Sequence, residues 1–418
     1  MKIIHVITSL DKHGAQMMLF KVLSGMDRRR FDSVVFSLAE GGAMREQFAA
    51  LGVPVFSLGM KAGLPTPAAG LRLVRLFRRL QPDLIQGWMY HGNLAAQLGA
   101  MFLKRGTPIL WNVRGSSCEL HKEKRATAAV IWLGGKLSRL PDRIINNSLA
   151  SAIQHETALG YRASGRVIIA NGFDTETFAP SEAARIALRR ELRVDETALL
   201  IGLMARHHPM KDHVNFLRAA ARLSASKPEA HFVLAGEGVN NRNHELTGMI
   251  QNLSLGGRVH LLGERDDTPC LTAAFDIATS SSAFGEGFPN ILGEAMSCGV
   301  PCVTTTVGDS AFVIGDTGRA VPPGDSAALA AAWLELIDMG TSFRNKLGDA
   351  ARRRVIENFS ISKIVGQYEA LYTTLIAASF VEIWQRRHRS SAKDNPQITQ
   401  TAQIASEQSL SSGNRKSR

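Results

Sequence analysis

The chain has 418 residues, of which 45% are apolar, 21% charged and 6% aromatic, with a mean hydropathy of −0.03. These proportions suit a protein with sizeable cores, and no run reaches the about 18 to 20 apolar residues that a bilayer-spanning helix needs. The net charge of +12 favours an anionic partner, and the four cysteines (Cys118, Cys270, Cys298, Cys302) form no CxxC or metal-ligand pattern, so they read as buried free thiols of a reducing cytoplasm.

In chain order, Met1–Ile7 reads as a first strand rather than a cleavable leader. Short β-rich runs then alternate with helical patterns, the signature of parallel βαβ units. Strands are predicted at Ile3–Ile7, Val34–Ser37, Val55–Leu58, Leu84–Gln86, Ile109–Val113, Arg143–Asn146 and Val167–Ile169, with helices such as Met17–Ser24 and Met44–Leu51 between them. Leu71–Leu80 is a predicted helix with Leu71, Val74, Phe77 and Leu80 on one stripe and Arg72, Arg75, Arg78 and Arg79 beside it. It reads either as a sheet-covering helix with a solvated face or as a contact for anionic lipid head groups. Lys122, Lys124, Arg125, Lys136, Arg139 and Arg143 form a second basic cluster.

Ile169–Asp174 reads as strand then turn, and Phe178-Ala-Pro180 as a linker. The pattern restarts at Leu199–Leu203, with further strands at Phe232–Ala235, His260–Leu262, Ile277–Ala278 and Val300–Thr304 and helices at Asp212–Ser224, Asn290–Cys298 and Ala327–Met339. Ser, Gln, Asn, Thr and Lys dominate 386–418, which reads as a disordered polar tail. The expected architecture is α/β: two doubly wound Rossmann-like domains, 1–180 and 181–385, facing across a cleft. The final helix is free to pack back on the N-terminal domain. Ligands in such sheets lie beyond the carboxyl ends of the strands, so the two sets of loops should face each other. Charge is uneven: Met1–Pro180 holds 23 Lys/Arg against 12 Asp/Glu, whereas Ser181–Gln385 holds 19 against 23.

The most informative stretch runs from Glu286 to Pro301. It places Glu286 and Glu294 eight positions apart, with Phe288, Pro289, Asn290 and Ile291 after the first carboxylate. Pro289 can open a helix because first-turn amides lack internal partners, and those amides with the helix dipole suit a phosphate. Glu286 then lies in the preceding loop and Glu294 more than a turn inside the helix, roughly 12 Å apart at helical rise. Arg206 and Lys211 fall on one strand-to-helix loop, where Asp212 is a good N-cap. Alone they read as solvated surface; with the two carboxylates they read as a clamp on a diphosphate.

Taken with Ala170-Asn-Gly-Phe-Asp174, Pro322-Pro-Gly-Asp325 and Phe359-Ser360 in this order, the chain resembles the retaining GT-B glycosyltransferases of family four, also called glycosyl transferase group 1, up to about Leu375. The resemblance implies that Arg206 and Lys211 bind the pyrophosphate, that Glu286 holds donor-sugar hydroxyls and that Glu294 holds the ribose. It implies donor contacts by the backbone around Phe288–Ile291, and makes Gly14 the glycine loop that approaches phosphate and acceptor. The family usually shows two adjacent glycines and a Glu there, whereas this chain has His13-Gly14 and Gln16. Many members place a histidine after the strand Ile109–Val113, where this chain has Arg114. Arg114 is expected to contact an acceptor phosphate or to form a surface ion pair. His91, on a neighbouring loop, faces the cleft or is bonded within its own loop. The loops Gly236–Val239 and Gly263–Asp267 are expected around the base.

The expected activity is transfer of a sugar from a nucleotide-sugar, UDP-sugar favoured, to a cell-surface polysaccharide or lipid-linked acceptor, with retention and without a metal or other cofactor. The expected place is the cytoplasm, peripheral at the inner face of the plasma membrane. The alternatives are another GT-B activity such as a sugar-nucleotide epimerase and, from a different class, a nucleic-acid-binding protein. No recognition-helix motif or aromatic strand supports the latter.

Overall fold

The computed structural model describes residues 1–60, 66–103, 106–115, 120 and 124–388. Seven strands form the first sheet: β1 (Lys2–Ile7), β2 (Asp32–Ala39), β3 (Val55–Met60), β4 (Leu84–Trp88), β5 (Ile109–Val113), β6 (Arg143–Asn146) and β7 (Arg166–Ile168). Their order is β3-β2-β1-β4-β5-β6-β7, every pairing parallel. The second sheet contains β8 (Leu199–Met204), β9 (Ala230–Ala235), β10 (Val259–Leu261), β11 (Ile277–Ser280), β12 (Cys302–Thr305) and β13 (Gly318–Val321), in the order β10-β9-β8-β11-β12-β13. It too is parallel throughout. The expected pair of doubly wound α/β lobes is therefore what the chain forms.

Both sheets reverse direction beside their first strand, at β1/β4 and at β8/β11. Right-handed crossovers then place helices on both faces, so the inner strands are apolar throughout rather than alternating. Ile3 and Ile7 enter one core with Leu19 and Val22, while Ile4 and Val6 enter another with Leu73 and Phe77. The reversal opens a crevice at the carboxyl edge of each sheet, and the two edges face one another.

Three sequence expectations change. Gly318–Val321 is a strand that the sequence did not reveal, being short and interrupted by Arg319. The helix around Leu71 spans Pro67–Leu80 and buries Leu73 and Phe77, while Leu71 is 57% exposed. Cys298 and Cys302 are buried free thiols, but Cys270 is exposed, and Cys118 lies outside the described residues.

Past the second sheet the chain returns. Helix Gly340–Phe359 ends against Phe173, whose amide donates to Phe359 O and whose carbonyl accepts from Ile361 N (2.9 and 2.8 Å). Helix Ile361–His388 then lays Tyr368, Tyr372, Leu375 and Ile376 into the core of the first lobe. The Tyr372 hydroxyl donates to Gln86, and Trp88 Nε1 donates to His5 Nδ1 at 3.2 Å. Full burial drives the His5 pKa down to about 3, which keeps that ring neutral and able to accept. The helix runs a little past Gln385, and the remainder of the polar tail lies outside the described residues.

Candidate active site

A cleft of about 810 Å³ lies between the lobes, lined by loops that follow β1, β5 and β6 on one side and β8, β9 and β11 on the other. Arg206, Lys211, Glu286, Glu294 and Phe288–Ile291 all line it, as do Gly14 and Arg114. The structure thus brings together every expected site residue except His91. That histidine lies in the first turn of helix Met89–Ala100, half-buried, with its pKa lowered by burial, and it is not on the cleft wall. The expected loop is a helix: Met89 takes φ 60° directly after β4, so the helical register begins there and determines where the ring points.

Lys211 ends a single 3₁₀ turn, Pro209–Lys211, and Asp212 follows in the left-handed region with φ 48°. The Asp212 carboxylate caps the next helix by accepting from Asn215 N at 3.0 Å. This fixes the backbone beneath Lys211, whose carbonyl also accepts from Ser281 Oγ at 2.8 Å. Lys211 Nζ is ion-paired with Glu286 Oε1, and Ser282 Oγ donates to the same oxygen at 2.7 Å. Glu286 is 9% exposed. A buried carboxylate needs such partners, because an unpaired charge in low dielectric is expensive.

Arg206, on the same loop, is exposed and makes no hydrogen bond or ion pair with the described residues. Glu294, in helix Asn290–Ser297, likewise has no side-chain partner among them. Burial pushes its carboxyl pKa up, with the Lys21 charge acting the other way. Gly293 lets this helix close on the Phe173 ring, which stacks with Phe288 at 6.2 Å. Gly14 opens helix Gly14–Gly25 with free space where a Cβ would stand.

Arg114 is not exposed, and it forms no ion pair with the described residues. Its guanidinium donates to Tyr368 OH at 3.0 Å and to Asn171 Oδ1, and its pKa is lowered by burial. Its guanidinium thus lies at the cleft floor with two neutral partners, a phenol and an amide. Asn171 in turn donates to Phe288 O at 3.0 Å and Asn290 Oδ1 at 2.7 Å. One asparagine therefore joins the first lobe to the start of helix Asn290–Ser297. The Ala170-Asn-Gly-Phe-Asp174 motif was the signal for it, although it reads as a turn. Neither Ser282 nor Asn147, which lines the cleft and donates to Asn171 Oδ1 at 3.3 Å, carries a signal in the sequence. Near the expected base loops, Arg265 is held by Asp267 and Glu191, each at 2.7 Å.

Two carboxylates, two cations and a helix N-terminus on one wall can hold a polyol at one end and a diphosphate at the other. Residues 13–177 match the family model described as Glycosyltransferase Family 4, and residues 196–339 match Glycosyl transferases group 1. The lipopolysaccharide core biosynthesis glycosyltransferase LpsE of Rhizobium meliloti is 30% identical over 305 residues, covering 71% of this chain and 78% of that one. The chain belongs to the group 1, family four glycosyltransferases. Within this family it is 32% identical over 187 residues to N-acetyl-alpha-D-glucosaminyl L-malate synthase of Bacillus anthracis. That match takes in 44% of this chain and 48% of that enzyme, so it spans about half the length of the relative. Among solved structures, HepE of Anabaena in complex with UDP superposes with a TM-score of 0.78 at 24% identity, covering 90% of this chain and 100% of that one. The likeness is to the GT-B fold. The same protein has been solved with UDP-glucose.

Proposed function

We propose that this glycosyltransferase moves a hexosyl group from a UDP-sugar to a cell-surface polysaccharide or lipid-linked acceptor, with retention and without a metal. The observation that carries this reading is the placement of Arg206, Lys211, Glu286 and Glu294 on one cleft wall. UDP and UDP-glucose in HepE, and the lipopolysaccharide role in LpsE's name, support the choice of donor and acceptor class.

In this reading the donor diphosphate meets Arg206, Lys211 and the free amides at the start of helix Asn290–Ser297. These groups neutralise the charge that builds on the leaving diphosphate, and they are fixed before the reaction begins. Glu286, tethered by Lys211 and Ser282, binds hydroxyls of the sugar ring, and Glu294 binds the ribose. Bond cleavage leaves an oxocarbenium-like sugar; the acceptor hydroxyl attacks the face the diphosphate vacates, and a diphosphate oxygen takes its proton. Arg114, a cation without a carboxylate partner among the described residues, suits an anionic group of donor or acceptor at the cleft floor.

Melting-temperature shifts with UDP-, GDP- and ADP-sugars test the donor, because a ligand of the folded state stabilises by mass action. UDP-sugars should give the largest shift. Release of UDP that depends on acceptor separates transfer from epimerisation, and an unaltered rate after chelation of divalent cations is expected. Donor turnover to an epimer without UDP release would overturn the reading.

A further inference from the structure

The first lobe carries a surface pattern that the cleft does not use. Helices Pro67–Leu80, Met89–Ala100 and Arg125–Leu137 pack side by side on the sheet face opposite the returning C-terminal helix. None of the three contains an Asp or a Glu. They are closely joined. Gly99 of the middle helix sits against Phe77 and Leu73 of the first, and Arg78 Nε donates to Phe102 O at 3.2 Å. On the other side Ala100 packs onto the cluster that contains Ile131.

The outward positions of the middle helix are His91, Leu94, Ala95 and Leu98, followed by Met101 and Phe102, with no charge among them. Met101 is 67% exposed and Phe102 59% exposed, and Trp132 of the third helix is 55% exposed. Exposed arginines flank this ridge on one side (Arg72, Arg75, Arg78, Arg79) and Arg125 and Lys136 on the other. Lys136 Nζ lies 5.7 Å from the centre of the Trp132 ring, the arrangement of a cation drawn over an aromatic face.

Exposed apolar side chains gathered on one face and rimmed by cations mark an interaction surface. Two cationic rails and three helices without a carboxylate favour an anionic plane over a mixed-charge protein partner, which would have to leave the arginines unpaired. We propose that this face docks on an anionic phospholipid bilayer. Leu98, Met101, Phe102 and Trp132 enter the boundary between head groups and acyl chains, and the arginine and lysine side chains reach back to lipid phosphates. Apolar insertion and polybasic attraction are the two signals that reversible anchoring requires. The middle helix starts at the carboxyl edge of the sheet and runs back to the amino edge, so Leu98, Met101 and Phe102 lie at the end of the lobe away from the cleft. Docking goes beyond the proposed reaction and does not depend on which sugar is transferred.

The test is flotation of the full-length protein with vesicles of phosphatidylcholine alone and of equal parts phosphatidylcholine and phosphatidylglycerol, at low and high salt. Wild type should float with the anionic vesicles only, and less at high salt. Each basic side chain near such a surface contributes about fivefold in affinity. Arg75→Glu/Arg79→Glu should therefore lose tenfold or more, and Met101→Ser/Phe102→Ser a comparable amount, both with an unchanged melting temperature. No flotation of wild type at low salt would overturn the proposal, as would either variant binding like wild type. It would also fall if wild type were a dimer in light scattering that Met101→Ser/Phe102→Ser turned into a monomer, since the face would then join two copies. Failure of UDP-sugars to raise the melting temperature would strike the donor reading and leave this one standing.

Discussion

Asp309 of the second lobe accepts the backbone amide of Leu149 in the first at 2.7 Å, and that of Ala150 at 3.0 Å. These amides belong to the first turn of helix Leu149–Leu159, where Ser148 Oγ already accepts from Ser151 N. The Asp309 amide also donates to Gly287 O at 3.0 Å, beside Glu286. The bridge spans the cleft and is tied at one end to the loop that carries Glu286. Losing an acceptor at a helix N-terminus costs about 0.5 to 2 kcal/mol. Asp309→Ala should lose that amount from the closed arrangement only. KM for the donor should rise several-fold, and small-angle scattering without ligand should show a larger radius of gyration. Identical KM and scattering would show that the bridge does not hold the lobes.

Lys211→Ala and Glu286→Ala should each lower transfer a hundredfold or more, by the size of the electrostatic terms removed. Because the two side chains are ion-paired, their effects should not add. The double variant should be little slower than the worse single one. Steady-state rates for the three proteins decide this, and near-normal activity in both single variants would refute the assignment.

Glu294 gives a pH-dependent prediction. Burial raises its folded-state pKa above the unfolded value, so below the unfolded pKa the group is neutral in both states and carries no penalty. As pH rises through the folded pKa, the unfolded state holds fewer protons than the folded one, and stability falls. Glu294→Gln should therefore raise the melting temperature of the unliganded protein at pH 7. The gain should vanish below the ordinary Glu range near 4.5. The same variant should weaken donor binding at pH 7, and calorimetry with thermal scans at both pH values measures the opposed effects.

Gly308 takes φ +61°, and a Cβ there would run into the backbone carbonyl of Glu286. Gly308→Ala should push the Glu286 loop away from Lys211. Activity should drop tenfold or more, with a loss of about 1 kcal/mol or more in denaturant unfolding from the positive φ alone. Unchanged turnover would mean the loop position is not set here.

The sequence disclosed what depends on local spacing. Glu286 and Glu294 fall on one helix-and-loop unit, so eight residues of separation determine which wall they share. Arg206 and Lys211 fall on one strand-to-helix loop for the same reason. What stayed hidden depends on distant parts meeting. Nothing in the neighbourhood of Asp309 points to Leu149, 160 positions away, nor does Arg114 announce Tyr368. The helix Pro67–Leu80 failed differently. A strict step of three residues, from Leu71 to Leu80, slips about 60° per step against a 3.6-residue turn. Leu71 ends up on the far side, and Leu73 with Phe77 forms the true inner stripe.

The strap from Ile361 to His388 has a bearing on biogenesis. The sheet of the first lobe leaves His5, Gln86 and Trp88 waiting for Tyr368 and Tyr372, which the ribosome delivers 280 or more positions later. Contacts so remote in sequence are slow to close. The N-terminal half must therefore remain unfinished until the strap has been made, and two halves produced separately, cut at Pro180, would leave one of them with an uncovered seam.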